Sequence, residues 1–156
     1  LFNVSEWSNR IPAYLLIPEG QGSFPAIVML HDHGAKFSIG KEKMVKPFGV
    51  DNEVMKDAQK WAVQCYYGEF VGDYYAGKGY IVLAIDALFL GERGRKEGVK
   101  YEAQQALAAN LLQLGMSWCG VITHDDIRSV ELLESLPQVN KDRIGALGFW
   151  MGAHRA

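Results

Sequence analysis

The stretch Arg143-Ile144-Gly145-Ala146-Leu147-Gly148-Phe149-Trp150-Met151-Gly152-Ala153-His154-Arg155 runs a short apolar strand, Ile144 to Leu147, into Gly-x-x-x-Gly and then into residues able to start a helix. That is the setting of a nucleophile elbow, a sharp strand-to-helix turn whose central residue is held at the tip of a sheet. Gly148 and Gly152 have a steric purpose there. The central residue of such a turn is strained, and its neighbours two before and two after must lack side chains so that strand and helix can approach closely. The chemistry of the turn demands Ser, Cys or Asp at its centre, and here the centre is Trp150. An indole has no nucleophilic atom for acyl transfer.

Working outward, Ala26-Ile27-Val28-Met29-Leu30 is a continuous apolar run following Pro25 and a Gly/Ser-rich stretch, as in a strand covered on both faces. A second such strand runs from Tyr80 to Ala84, after Gly77-Lys78-Gly79. Phe2 to Trp7 and Ile11 to Ile17 read as two extended segments of a hairpin joined at Ser8-Asn9-Arg10. Ala103, Leu107, Leu111 and Leu114 paint one face of a helix apolar, a face expected to cover the sheet. The next helix, from Trp118 to Leu136, reads as continuous through Thr123 and is ended by Pro137. Residues 38–70 fit neither period and read as an insertion with helical pieces. Strands alternating with amphipathic helices imply an α/β fold, a mostly parallel sheet with helices on both faces. Function in such sheets sits at the carboxyl ends of the strands, which directs attention to residues 31–37, 86–94 and 148–154.

With 156 residues, 49% of them hydrophobic, the chain is large enough for a core without disulfide staples. A net charge of −2 and no basic run leave no electrostatic footprint for nucleic acid or an anionic membrane. The longest uninterrupted apolar run is about six residues, against roughly 18 to 20 for a spanning helix. Cys65 and Cys119 read as isolated buried thiols rather than a bridge, and they leave the compartment open between cytoplasm and periplasm or exterior. His31 and His33 form an H-x-H pair in the loop after the first core strand, where an acyl-transfer enzyme of this architecture places its second oxyanion donor. Two ligands are too few for a metal site, so no metal is expected.

Leu30-His31-Asp32-His33-Gly34 after a buried strand, Asp86 with Gly91-Glu92-Arg93 after the next, Asp126-x-Arg128 in a helix, and Leu136-Pro137-x-Val139-x-x-Asp142-Arg143-Ile144-Gly145 before the turn recur in order. Together they resemble the α/β-hydrolase superfamily, in its dienelactone hydrolase-like and acetyl xylan esterase-like branch. The resemblance covers essentially the whole chain, and residues 126–153 are its most specific part. It implies a Ser-His-Asp or Cys-His-Asp triad acting on carboxylic esters, without metal or organic cofactor. Carried over residue by residue, position 150 is the nucleophile position, the Met151 amide is one oxyanion donor, and the amides around His33 and Gly34 supply the other. The acid and the histidine of the family follow later strands.

The resemblance therefore leaves the chain as one α/β-hydrolase domain, 1–156, incomplete at its C-terminus. An elbow strand without its second neighbour would expose an unpaired edge, open to a homo-oligomer or to pairing with a C-terminal half. His154 lies in the first turn after the elbow and reads as a surface or packing residue, while Asp86, Asp125, Asp126 and the Glu92-Arg93 charges read as a structural network shaping the site. The implied substrate is a small-molecule or polysaccharide acyl ester, and with Trp150 in place the chain is expected to be inactive. The alternative is a non-catalytic binding or scaffold domain of hydrolase descent. A degenerate relative, a single-base change in a serine or cysteine codon, and a misread turn all remain open as origins of Trp150.

Overall fold

The computed structural model describes residues 2–4, 9–94 and 101–156. Two strands form its centre. β4 (Phe24–Leu30) and β5 (Ile81–Ile85) pair in parallel, and β5 is buried along its whole length. Strand side chains alternate between faces, so each strand feeds two separate cores. Val28, Leu30, Ile81, Leu83 and Ile85 pack with Ile11, Leu133 and Val139 on one face; Ile27, Met29, Val82 and Ala84 pack with Tyr14, Met44 and Val45 on the other. Coverage on both faces is why these runs are continuously apolar rather than alternating.

The four-stranded sheet has the order β3-β5-β4-β6, with β3 (Ala13–Leu16) antiparallel on β5 and β6 (Val139–Gly148) parallel on β4. The predicted third strand thus starts five residues earlier than Ile144, at Val139. Among the described residues β6 pairs with β4 alone, and Lys141, Asp142, Arg143, Gly145 and Ala146 along it are exposed. The expected hairpin forms between β1 (Phe2–Val4) and β2 (Asn9–Ile11), while its turn at residues 5–8 lies outside the described residues. The second arm does not run on to Ile17 as one strand of the hairpin. Pro12, which has no N–H for a ladder, separates β2 from β3, and β3 joins the main sheet instead.

The 38–70 segment supplies a short 3-10 turn, Lys41–Lys43, and α1 (Asn52–Tyr66). Asp51 caps α1 by accepting from the amides of Glu53 at 3.0 Å and Val54 at 2.9 Å, and Tyr67 ends the helix in the left-handed conformation. α2 (Val71–Gly77) follows and leads into β5. α4 (Trp118–Ser135) is continuous through Thr123, is capped by Ser117, and stops before Pro137, as its sequence predicts. Its Leu133 is fully buried against the sheet, which contributes roughly 1.5–3 kcal/mol.

Two further expectations are corrected. α3 (Tyr101–Gln113) lies by α4 instead of covering the sheet: Ala103, Leu107 and Leu111 are half-buried, Leu114 is 71% exposed, and the buried residue of the helix is Gln104. Periodicity identified the helix but overstated how much of its stripe another element covers. Nor are the thiols both buried; Cys119 is exposed and Cys65 half-buried, and the two are unpaired. Among the described residues no single helix is long and apolar enough to cross a membrane.

Candidate active site

At the end of β6 the chain turns sharply. Trp150 sits at the turn's tip with φ of 52°, a left-handed conformation that bulky residues rarely adopt, and its side chain is 69% exposed. The two flanking glycines leave no room for anything larger. A Cβ on Gly148 would stand 2.1 Å from the Gly152 carbonyl oxygen, and one on Gly152 would stand 1.7 Å from the Leu30 carbonyl oxygen. The amides of Gly152, Ala153 and Arg155 donate to the carbonyls of Phe149, Trp150 and Gly152, so a first helical turn begins at once. The sequence-predicted elbow is therefore present, with residue 150 at its strained centre and the turn pressed against the end of β4. The Phe149 amide donates to the Leu30 carbonyl at 3.4 Å, and the Phe149 ring packs edge-on against Tyr66 of α1.

The loop after β4 is held from several sides. His31 is fully buried; its Nε2 accepts from the Ala87 amide at 3.0 Å, so Nδ1 carries the hydrogen and donates to the Asp32 carbonyl at 2.8 Å. Burial, reinforced by the Lys43 ammonium, drives its pKa well below the usual histidine value, and the ring is a neutral tie between two loops. Lys43, itself buried, donates to the carbonyls of Asp32 at 3.0 Å and His33 at 2.9 Å, and Asp32 Oδ2 accepts from the Trp61 indole at 3.2 Å. Gly34 and Ala35 both adopt positive φ, and a Cβ on Gly34 would stand 2.1 Å from the Trp61 ring. His33 is half-buried, its Nδ1 accepting from the Ala35 amide at 3.2 Å and its ring set edge-on to Phe37. The amides of His33, Gly34 and Met151 have no acceptor among the described residues.

The loop after β5 supplies a charged network. Lys41 Nζ donates to Glu42 at 2.7 Å, Asp86 at 3.1 Å and Glu92 at 2.6 Å, and Asp86 also accepts from the amides of Lys41 and Glu92. Burial alone would lower the Lys41 pKa, but Asp86 and Glu42 outweigh it and raise it. Burial and the neighbouring Glu42 push Asp86 up to about 6, against the opposing pull of Lys41. Glu42, Asp86 and Glu92 lie close enough to share a cation, and the Lys41 ammonium occupies that role. Arg93 pairs with Asp125 of α4 at 2.6 Å, and Arg155 forks onto Asp126 through Nε at 2.8 Å and Nη2 at 2.5 Å. The acids thus belong to a structural network, as their sequence setting predicts, and His154 is exposed in the turn beyond the elbow. Lys41, Lys43, Trp61 and Arg155 were not singled out by sequence reasoning. Nothing in the pattern Lys41-Glu42-Lys43 marks all three of its charges as buried, since charge runs ordinarily lie in solvent.

No protein-family model matches the chain. A curated protein of Bacillus subtilis (strain 168), YtaP, named as a hydrolase, is 28% identical over 144 residues, which is 92% of this chain and 41% of that protein. Among solved structures, a Bacteroides fragilis NCTC 9343 protein assigned as an acetyl xylan esterase superposes with a TM-score of 0.71 at 23% identity, over 92% of this chain and 36% of that one. Acetyl xylan esterase 1 of Thermoanaerobacterium sp. JW/SL YS485 does so with a TM-score of 0.56 at 20% identity, over 96% of this chain and 39% of that one. The chain therefore spans well under half the length of these relatives. Its sheet order, its glycine-clamped turn and these neighbours together give it the α/β-hydrolase fold.

Proposed function

We propose that the chain carries the elbow and oxyanion loop of a carboxylic ester hydrolase, acetyl xylan esterase-like or dienelactone hydrolase-like, in which Trp150 stands where the nucleophile belongs, so that the sequence as written does not turn over esters. The observation that carries this reading is the φ of 52° at Trp150 between two glycines that tolerate no Cβ. Strain of that kind persists only where the surrounding structure imposes it, and it clusters at active sites. A hydroxyl or thiol at this tip would attack an acyl carbon, and the unpaired amides of Met151, His33 and Gly34 would receive the negative charge that develops on the carbonyl oxygen. The chemistry calls for no metal or organic cofactor. A triad acid and histidine from further strands would complete it, and the edge of β6 that is unpaired among the described residues would offer such strands, or a second copy, a place to pair. The substrate class on this reading is an acyl ester of a small molecule or a polysaccharide.

The test is p-nitrophenyl acetate turnover by the full-length gene product, unaltered and as Trp150→Ser. The unaltered protein is expected to match buffer, and the serine variant to show saturable hydrolysis that a serine-directed inhibitor abolishes. Saturable, inhibitor-sensitive turnover by the unaltered protein would overturn the reading. An inert serine variant would favour a non-catalytic scaffold of hydrolase descent.

A further inference from the structure

Asp125 and Asp126 are adjacent on one turn of α4, both are buried, and each takes an arginine from a different loop at the carboxyl end of the sheet. Arg93, from the loop after β5, binds Asp125 and also donates to the Asp86 carbonyl at 3.1 Å. Arg155, from the turn after the elbow, binds Asp126 through two nitrogens and reaches the His31 carbonyl with the third at 3.5 Å. His31 in turn accepts from the Ala87 amide, which closes the circuit between the loops after β4 and β5. All three loops that border the elbow are thus referenced to one helical turn.

Buried ion pairs are weak contributors to net stability, because desolvation offsets most of their attraction. What a forked arginine–carboxylate pair provides is fixed geometry. The packing of α4 on the sheet is already supplied by Leu133, with Val130 and Leu132 beside it. We propose that Asp125 and Asp126 are positioning residues, a double latch that sets the spacing between the Met151 amide and the His33 and Gly34 amides. This deepens the esterase reading and rests on it for its catalytic consequence, while the latch itself can be tested without turnover.

Amide hydrogen exchange on the chain as it exists provides that test, using Arg155→Lys, which keeps the charge and loses the fork, and Asp125→Asn. Phe149 and Ala87 report on the loops, and Val28 and Val82 on the sheet. Arg155→Lys is expected to raise exchange about tenfold at both Phe149 and Ala87, the latter far away in sequence, with Val28 and Val82 unchanged. Changes confined to residues 152–156, or a uniform rise that includes the sheet, would overturn the latch. If Arg155→Lys fails to fold, the double variant Asp126→Asn with Arg155→Gln removes both charges and is read in the same way. In the full-length Trp150→Ser protein, Arg155→Lys is expected to lower kcat about 100-fold with KM within about twofold, as for a small displacement of the reacting groups. Inert Trp150→Ser protein would count against the esterase reading alone, and exchange would still decide the latch.

Discussion

Replacing Gly152 by Ala tests whether close approach of two backbone segments builds the elbow. The added Cβ would lie 1.7 Å from the Leu30 carbonyl oxygen, 2.6 Å from the Leu30 carbonyl carbon and 3.0 Å from the Phe149 nitrogen. Those atoms are main chain on both sides, so no rotamer change relieves the clash. Reaching even the 3.0 Å limit of real contacts requires the turn and the end of β4 to part by 1.3 Å, the difference between 3.0 and 1.7. That separation breaks the Phe149 to Leu30 hydrogen bond and carries Met151 away from the loop after β4. Overpacking ordinarily costs about 1–3 kcal/mol, and an unyielding site belongs at the top of that range, about 3 kcal/mol. With a urea slope of about 2 kcal/mol per M, the unfolding midpoint should fall by about 1.5 M. Gly145, on the strand β6 that leads into the turn, is the control: a Cβ there meets nothing within 4 Å, so Gly145→Ala should be neutral or raise stability by about 0.5 kcal/mol. Equal midpoints for Gly152→Ala and the unaltered chain, or an equal loss for Gly145→Ala, would refute the reasoning.

Lys41→Met should cost about 3–5 kcal/mol at pH 7, because it leaves Glu42 and Asp86 buried without their counter-charge. The cost should shrink by more than about 1 kcal/mol at pH 5, where Asp86, already pushed up to about 6, takes a proton; urea melts showing the same cost at both pH values would count against the network. His31 is held neutral in the fold, whereas the unfolded chain takes up a proton on it below about pH 6.5, so its contribution to stability is present above that pH and is lost as pH falls. Asp86 contributes with the opposite sign, since its folded form binds a proton more readily than its unfolded form between about pH 4 and 6, and stability from it falls as pH rises through that window. The difference in urea midpoint between the unaltered chain and His31→Gln, followed from pH 7 to pH 5, isolates the histidine. It should narrow steadily on acidification, and a constant difference would show that His31 is not held neutral.

The two continuously apolar core strands, the helix from Trp118 with its end at Pro137, and the glycine-clamped turn were legible from residue order, because each depends on neighbours within a few positions; α1 and the caps Asp51 and Ser117 were not read from it. Pro12 was visible too, but reading Ile11 to Ile17 as one segment overlooked that a residue without an N–H lets the chain leave one sheet for another. The stripe on α3 shows the limit of periodicity: it names a face that favours burial without saying how much surface other elements bring to it. The charge network lies further out of reach. Whether Lys41 and Lys43 point to water or into the protein depends on carboxylates and carbonyls drawn from loops up to 51 residues away.

What the sequence by itself determined is therefore the local stereochemistry, including a strained turn that presents position 150 and the absence of a nucleophile there. Only the tertiary structure decided what surrounds that position: a neutral His31 tied to Ala87, three amides without acceptors among the described residues, and two arginines from different loops meeting adjacent acids on α4. The reason is physical. Backbone conformation and amphipathicity are short-range properties, whereas burial, protonation and ion pairing belong to groups that only the folded sheet brings within a few ångströms of one another.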